Sequence, residues 1–259
     1  MTKPEGEPAK AGAKRGRPAS PEEASAAKRA ADCASLAYQT DPATILPSTI
    51  RTSGGAQGAV TFMAPSSSAP SAARARAAFA KLLEENVAPY YDDWAKERRT
   101  KARQMKSKRM RAIVVRGFSG DADDDAVDGF VAYRFEEDEG RPVVYIYEIQ
   151  VSQRCRSRGL GGALLDAAEK LGAAVGMTHV VLTVHRANKG ALRLYERRGM
   201  AEDWTSPGKC DPGEDYAYMI MSKEIQRPPD GERQEDGHGG DGASDGGGGD
   251  AAAPAERAE

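Results

Sequence analysis

The sequence predicts a mixed α/β fold, with one mostly antiparallel central sheet flanked by helices and set between disordered N- and C-terminal tails. Three observations predict it. Runs of strand-forming residues at 112–118, 129–135 and 142–151 follow one another through polar, Gly-containing links, as a meander does. From Gly159 the apolar period changes from that of a strand to that of a helix. The nearly continuous apolar run at 179–184 then reads as a strand covered on both faces, which makes a strand–helix–strand crossover.

The boundaries come from composition. Residues 1–70 are rich in Ala, Pro, Ser and Lys, and residues 226–259 in Gly and Asp. Neither stretch carries enough apolar surface to offset the entropy of ordering, so both read as largely disordered and 71–225 as one compact domain. Within it, Ala78, Phe79, Leu82 and Leu83 mark an amphipathic helix over 71–86, interrupted at Pro89. A highly charged helix follows from Asp92 to Met110, and then the meander. Leu160, Leu164, Ala167, Ala168, Leu171 and Val175 share one face of a helix that Gly176 ends. Asn188 is placed to cap a helix carrying Ala191, Leu192 and Tyr195, stopped near Gly199. A last strand occupies 216–225.

The formal net charge of −2 conceals two opposed runs. Residues 96–116 hold ten Lys or Arg against the single Glu97. Residues 121–139 reverse this with five Asp up to Asp128 and then Glu136, Glu137, Asp138 and Glu139. Each run alone reads as a solvated face; an acidic rim beside a pocket would also suit a basic substrate. Cys33, Cys155 and Cys210 are too few and too irregularly spaced for a zinc site or a disulfide framework, so a reducing compartment and no metal are expected. No apolar run reaches membrane-spanning length, and no membrane partner is expected. Histidine offers no catalytic cluster: His179 and His185 bound a strand, and His238 lies in the acidic tail.

The stretch Arg156-Ser-Arg-Gly-Leu-Gly-Gly-Ala-Leu-Leu165 closes the densest strand and opens a helix. Glycines there could serve only close packing of strand and helix. They could also hold an anion, because backbone N–H groups at a helix N-terminus are unpaired and lie at the positive end of its dipole. Gly159, Gly161 and Gly162 would let a pyrophosphate approach the backbone, with Arg154, Arg156 and Arg158 nearby. A dinucleotide loop fits less well, since no Gly-x-Gly-x-x-Gly is present and a meander precedes the turn. Glu148 is the other exceptional residue. A carboxylate inside a run of Val, Ile and Tyr is costly to bury unless it is paired or has a task, whereas Tyr145, Tyr147 and Tyr218 are favoured in strands by packing alone.

The element order and the hexapeptide Arg156–Gly161 resemble the GNAT (GCN5-related N-acetyltransferase) superfamily and its Gln/Arg-x-x-Gly-x-Gly/Ala signature. Further stretches are similar to its NatD branch, which acetylates the N-terminal amine of histones: "YRFEEDEGRPVVYIYEIQV", "RCRSRGLG", "VVLTVHRANKGA", "TSPGKCDPGEDYAYMIMS" and, more loosely, "NVAPYYDDW" and "ADCASLAYQTDP". The resemblance implies a GNAT fold and acetyl-CoA as co-substrate, with Ile149, Gln150 and Val151 offering a main-chain edge and Arg156, Ser157, Arg158, Gly159, Leu160, Gly161 and Gly162 the phosphate turn. Asn188 implies a further cofactor contact. It implies Glu148 as general base with Tyr147 beside it in the catalytic centre, and Tyr91 (or Tyr90), Glu136, Tyr145, Tyr147, Thr183, Thr205 and Tyr218 around the peptide. Glu136 stands where the branch has Asp and Thr205 where it has Ser. Tyr195 matches the superfamily's proton donor to the leaving thiolate, a position that is Phe in some of this branch. The implied partners are histone N-terminal tails beginning Ser-Gly-Arg-Gly, met by a monomer in nucleus and cytoplasm. Two alternatives stay open: a lysine acetyltransferase of the same superfamily, and a non-catalytic chromatin protein binding DNA through Arg-Gly-Arg-Pro within 14–18.

Overall fold

The computed structural model describes residues 20–120 and 126–226. The basic 14–18 stretch, the 121–125 part of the acidic run and residues 227–259 lie outside the described residues. Among the described residues eight strands form one sheet: β1 (Thr49–Arg51), β2 (Gln57–Met63), β3 (Arg111–Arg116), β4 (Val127–Asp138), β5 (Arg141–Val151), β6 (His179–His185), β7 (Ala201–Glu202) and β8 (Tyr218–Glu224). Their order is β1-β2-β3-β4-β5-β6-β8-β7, and only β5 and β6 run parallel. The crossover between them is the helix α4 (Leu160–Ala174), as the change of period predicts.

The N-terminal segment corrects the expectation of disorder up to residue 70. Helix α1 (Pro21–Ala37) and the hairpin β1–β2 precede α2 (Pro70–Val87). α1 buries Ala30, Ala34 and Ala37, so its packing face is made of small residues that compositional reading counts as tail. A capping box starts it: the Glu23 N–H donates to Ser20 Oγ (3.1 Å), and the Ser20 N–H donates to Glu23 Oε2 (2.7 Å). The Tyr38 hydroxyl then accepts from the Phe135 N–H (3.0 Å) and donates to the Phe135 carbonyl (3.2 Å), fixing α1 to β4. β2 covers the edge of β3, which would otherwise be left open.

Two apolar layers sandwich the sheet. One holds α1, α4 and α5 (Lys189–Arg197) over Ile113, Val131, Val144 and Ile146. The other holds α2 and α3 (Trp94–Met105) over Val114, Phe130 and Ala132. α3 is capped by Asp93, whose side chain accepts from the Lys96 N–H, and ends five residues short of the expected Met110. Met110 is itself fully buried at the start of β3.

One irregularity positions the site. Between β4 and β5, Ala132 pairs with Glu148 but Tyr133 pairs with Ile146, so Tyr147 is an extra residue on β5. A regular strand alternates faces at every step. The bulge breaks that alternation: Ile146, Ile149 and Val151 pack into the α4 layer, while Tyr147 packs in the α2–α3 layer and Glu148 reaches Lys101 on α3.

Asp128 ties the loop after β3 to the segment that leads into the glycine turn. Its fully buried carboxylate accepts from the Phe118 N–H (2.7 Å), the Ser119 N–H (3.1 Å) and the Arg154 guanidinium (3.0 Å). Burial alone would raise its pKa; the donors of Ser119, Cys155, Phe118 and Arg154 outweigh it and hold the carboxyl below the usual range. Arg154 is thus committed to Asp128 rather than to a phosphate, which corrects one sequence expectation. Asp128→Ala should cost about 3–5 kcal/mol at pH 7 in urea unfolding. A depressed folded pKa stabilises above the unfolded value of roughly 3.9 and loses that contribution as pH falls through the folded value. The gap between variant and wild type should therefore narrow in acid.

Candidate active site

β5 and β6 pair only from Val143↔His179 to Ile146↔Leu182. Beyond that, β5 continues along β4 to Val151 and β6 continues along β8 to His185. The strands splay apart, and the main-chain edge of Tyr147–Val151 faces a cleft of about 1000 Å³. Such an edge presents N–H and C=O groups to an extended ligand as a neighbouring strand would.

The glycine turn forms one end of this cleft. Gly159 is the N-cap of α4 at φ +86, and no side chain caps the helix, so its first N–H groups have no side-chain acceptor. That leaves them available to an anion. Arg156 and Arg158 belong to the turn itself, and Arg193, Arg197 and Arg198 line the same cleft. The other glycines serve a purpose the sequence did not disclose. A Cβ on Gly161 would lie 3.2 Å from Leu194, and one on Gly162 would collide with the Arg198 guanidinium. They admit α5 and its arginine against the turn, as well as leaving backbone accessible. Arg198 is paired with Asp166.

Glu148 lies under the splay, only 6% exposed. Its Oε1 accepts from Lys101 Nζ (2.7 Å) and its Oε2 from Gln150 Nε2 (3.1 Å). Lys101 also faces Glu97, one turn earlier on α3, at 3.5 Å. Burial opposes the ammonium, yet Glu148, Tyr91 and Glu97 more than compensate and hold the Lys101 pKa above its ordinary value. Glu148 is therefore not the lone carboxylate in an apolar strand that the sequence suggests; it is half of a buried ion pair. Asn86 of α2 extends the network, its Nδ2 donating to Gln150 Oε1 (3.0 Å) and to the Val151 carbonyl (3.1 Å).

The cleft collects Tyr147, Glu148, Ile149, Gln150, Val151, the whole turn Arg156–Gly162, Thr183, Asn188, and both Tyr90 and Tyr91. Tyr90 stacks on His185 (5.6 Å between ring centroids), and the Tyr91 ring lies 5.4 Å from Lys101 Nζ. Asn188 caps α5 by accepting from the Ala191 N–H (3.1 Å), so it is both cap and cleft residue. Tyr195 is buried at the cleft, where burial first and Glu148 second raise its pKa and keep the phenol protonated.

Four expected substrate residues are not among those lining the cleft. Glu136 lies behind Tyr147, accepting from its hydroxyl at 3.3 Å and pairing with Arg134 at 3.6 Å. The Tyr145 hydroxyl is 2.9 Å from Thr183 Oγ1, and burial pushes its pKa up to about 12. Thr205 is buried, with its N–H and its hydroxyl both donating to Asp203 Oδ1 (2.8 and 2.7 Å). Asp203 in turn pairs with Arg141 at 3.0 Å, so Thr205 braces a loop. Tyr218 sits opposite His185 at the start of β8. Sequence reasoning missed Lys101, Asn86 and the arginines of α5. The one available signal was the solitary Glu97 four residues before Lys101 in an otherwise basic helix.

A bulged strand splayed from its parallel neighbour over an uncapped, glycine-led helix N-terminus defines the GNAT fold. The model of the acetyltransferase (GNAT) family matches residues 79–200 of this chain. "Putative phosphinothricin acetyltransferase YwnH" of Bacillus subtilis (strain 168) is 30% identical over 95 residues, which are 35% of this chain and 58% of that protein. The chain thus spans less than two thirds of that curated relative. Among solved structures, a nourseothricin acetyltransferase is 24% identical over 46% of this chain and 66% of its own, with a TM-score of 0.36. The PaiA N-acetyltransferase of Thermoplasma acidophilum in complex with coenzyme A is 15% identical over 64% of this chain and 99% of its own, with a TM-score of 0.46. Among the described residues no cluster of His, Cys, Asp or Glu could hold a metal ion, and no helix is long and apolar enough to cross a membrane.

The left-handed Gly159 gives a direct test of the turn. Gly159→Ala places a Cβ at positive φ and 3.2 Å from Thr52, and should lower stability by about 1–2 kcal/mol in urea unfolding.

Proposed function

We propose that this chain transfers the acetyl group of acetyl-CoA to the N-terminal α-amine of a protein beginning Ser-Gly-Arg-Gly, the start shared by histones four and two-A. The observation that carries acetyl transfer is the convergence on one cleft of three things: a free β5 edge, an uncapped helix N-terminus ringed by arginines, and a buried carboxylate between them. The residues fit acetyl-CoA. The first N–H groups of α4 with Arg156 and Arg158 would hold the pyrophosphate, and the edge of Ile149–Val151 the pantetheine amides. When bound, acetyl-CoA supplies an activated thioester.

The remaining chemistry falls to this chain's own groups. An α-amine has a pKa of roughly 8, so a fraction arrives protonated and Glu148 accepts that proton, directly or through a water. The neutral amine attacks once both substrates are held together, so no covalent intermediate on the protein is needed. Backbone N–H groups at the splay stabilise the developing oxyanion. Tyr195, protonated and buried at the cleft, is the group suited to return a proton to the departing thiolate.

Support for a chain end as acceptor comes from the aromatic cover of Tyr90, Tyr91 and His185 over the cleft. Glu136 as partner of an arginine in the third position of the peptide rests on the NatD resemblance. Histone tails as partners, and action in nucleus and cytoplasm, rest on the NatD resemblance. A second reading, a small-molecule amine as acceptor, is favoured by the similarity to the putative phosphinothricin acetyltransferase of Bacillus subtilis.

Peptides differing in their first four residues, with free or blocked α-amines, separate these readings by mass spectrometry. The Ser-Gly-Arg-Gly peptide should be acetylated on its α-amine, and blocking it should stop the reaction even when lysines follow. Acetylation of lysine in the blocked peptide, or turnover confined to phosphinothricin-like amines, would contradict the proposal. Glu148→Gln should lower kcat by roughly 10²–10⁴-fold, with acetyl-CoA affinity by calorimetry nearly unchanged.

A further inference from the structure

The two sides of α3 differ in chemistry. Its inner side buries Glu97, Lys101 and Met105, and from there Lys101 reaches Glu148. Its outer side exposes Lys96, Arg98, Arg99 and Arg103, and Lys106 at the C-cap is exposed as well. The other exposed side chains of the helix are Ala95 and Ala102, and its single acid, Glu97, is buried. Among the described residues none of the five exposed cations stands in a salt bridge.

The spacing sets this face apart from an ordinary solvated charge run. Lys96, Arg99, Arg103 and Lys106 follow one another at three, four and three residues, so they share one stripe opposite the buried side. Like charges three or four residues apart repel and weaken a helix, and this stripe holds such pairs in succession. A helix charged only for solubility would mix its signs and gain attractive pairs at the same spacing. The chain as a whole carries a formal net charge of −2, so the stripe is a local concentration and no part of a general excess. It weakens the free protein, and a bound polyanion would reverse the sign of that effect.

We infer that the outer face of α3 docks on the phosphate backbone of double-stranded DNA without reading base sequence. From Lys96 to Lys106 the stripe runs about 15 Å, and a duplex carries one negative charge per ~1.7 Å of its axis. Phosphates are therefore available along all of it. Ala95 and Ala102 beside the stripe leave room for close approach. Protein partners bury an apolar core and a membrane-lying helix inserts an apolar face; the outer face of α3 exposes neither. The choice of DNA rests on the proposed acceptor, a histone tail, because histones are themselves held on DNA. Docking through α3 would bring the cleft, which the same helix supports through Lys101, to such a tail.

The test measures the affinity of the full chain for a duplex of about 20 base pairs and arbitrary sequence by fluorescence anisotropy, with no acceptor present. About four phosphate contacts should make that affinity fall roughly a hundredfold between about 50 and 200 mM salt. Arg99→Gln with Arg103→Gln should lower the slope of log affinity on log salt by about two, whatever the base sequence. Acetyl-CoA affinity by calorimetry should be unchanged, which shows the double variant folded whatever the acceptor proves to be. A slope that the double variant leaves unmoved overturns the inference. So does loss of binding in Lys14→Ala with Arg15→Ala and Arg17→Ala alone, which gives the contact to the N-terminal basic stretch. Polyglutamate competing as well as unlabelled duplex overturns it in favour of an acidic protein, and preference for an RNA duplex of equal length overturns the choice of DNA. Binding through α3 by a chain that leaves the Ser-Gly-Arg-Gly peptide unacetylated supports the docking face while overturning the proposed acceptor.

Discussion

The site depends on one extra residue in β5. Without the bulge at Tyr147, the alternation of the strand would send Glu148 to the same face as Ile146's neighbours in the α4 layer, away from Lys101. With it, Tyr147 and Glu148 both serve the α2–α3 side while Ile149 and Val151 still fill the opposite core. The bulge also marks where β5 leaves β6. Pairing stops at Ile146↔Leu182, one residue before it. A single backbone irregularity thereby aims the carboxylate and opens the cleft beside it.

Electrostatics divide that cleft in two. At the glycine turn the N–H groups of α4, which no side chain caps, lie beside Arg156 and Arg158 and make an anion-seeking end. Beneath the splay, the buried Glu148–Lys101 ion pair places a carboxylate at the cleft. A ligand that is anionic at one end suits the turn. Two sets of hydrogen bonds hold the cleft's walls: Asn86 ties Gln150 and Val151 to α2, and Asp128 ties the loop after β3 to the segment leading into the turn.

Most of the sheet was legible because its signals are local. The meander, the change of period at Gly159 and the cap at Asn188 each follow from neighbouring residues, and each element is present within a few residues of its expected place. What escaped reading was non-local or made from bland residues. α1 packs through alanines, which composition cannot tell from a tail. The partnership of Lys101 with Glu148 joins residues 47 positions apart, and nothing in the basic run around Lys101 distinguishes it from its solvated neighbours except Glu97. The glycines at 161 and 162 were read as room for a ligand, whereas each also makes room for α5. Thr205 looked like a substrate hydroxyl, yet its loop turns it onto Asp203.

The central claim is that the unpaired edge of β5 and the head of α4 bind the two parts of one ligand. Amide hydrogen exchange, with and without saturating acetyl-CoA, tests it residue by residue. Protection should appear together at Ile149–Val151 and at Leu160–Gly162, and should leave the amides of β2 and β8 unchanged. Protection at the turn with none along β5, or protection at neither, would contradict it.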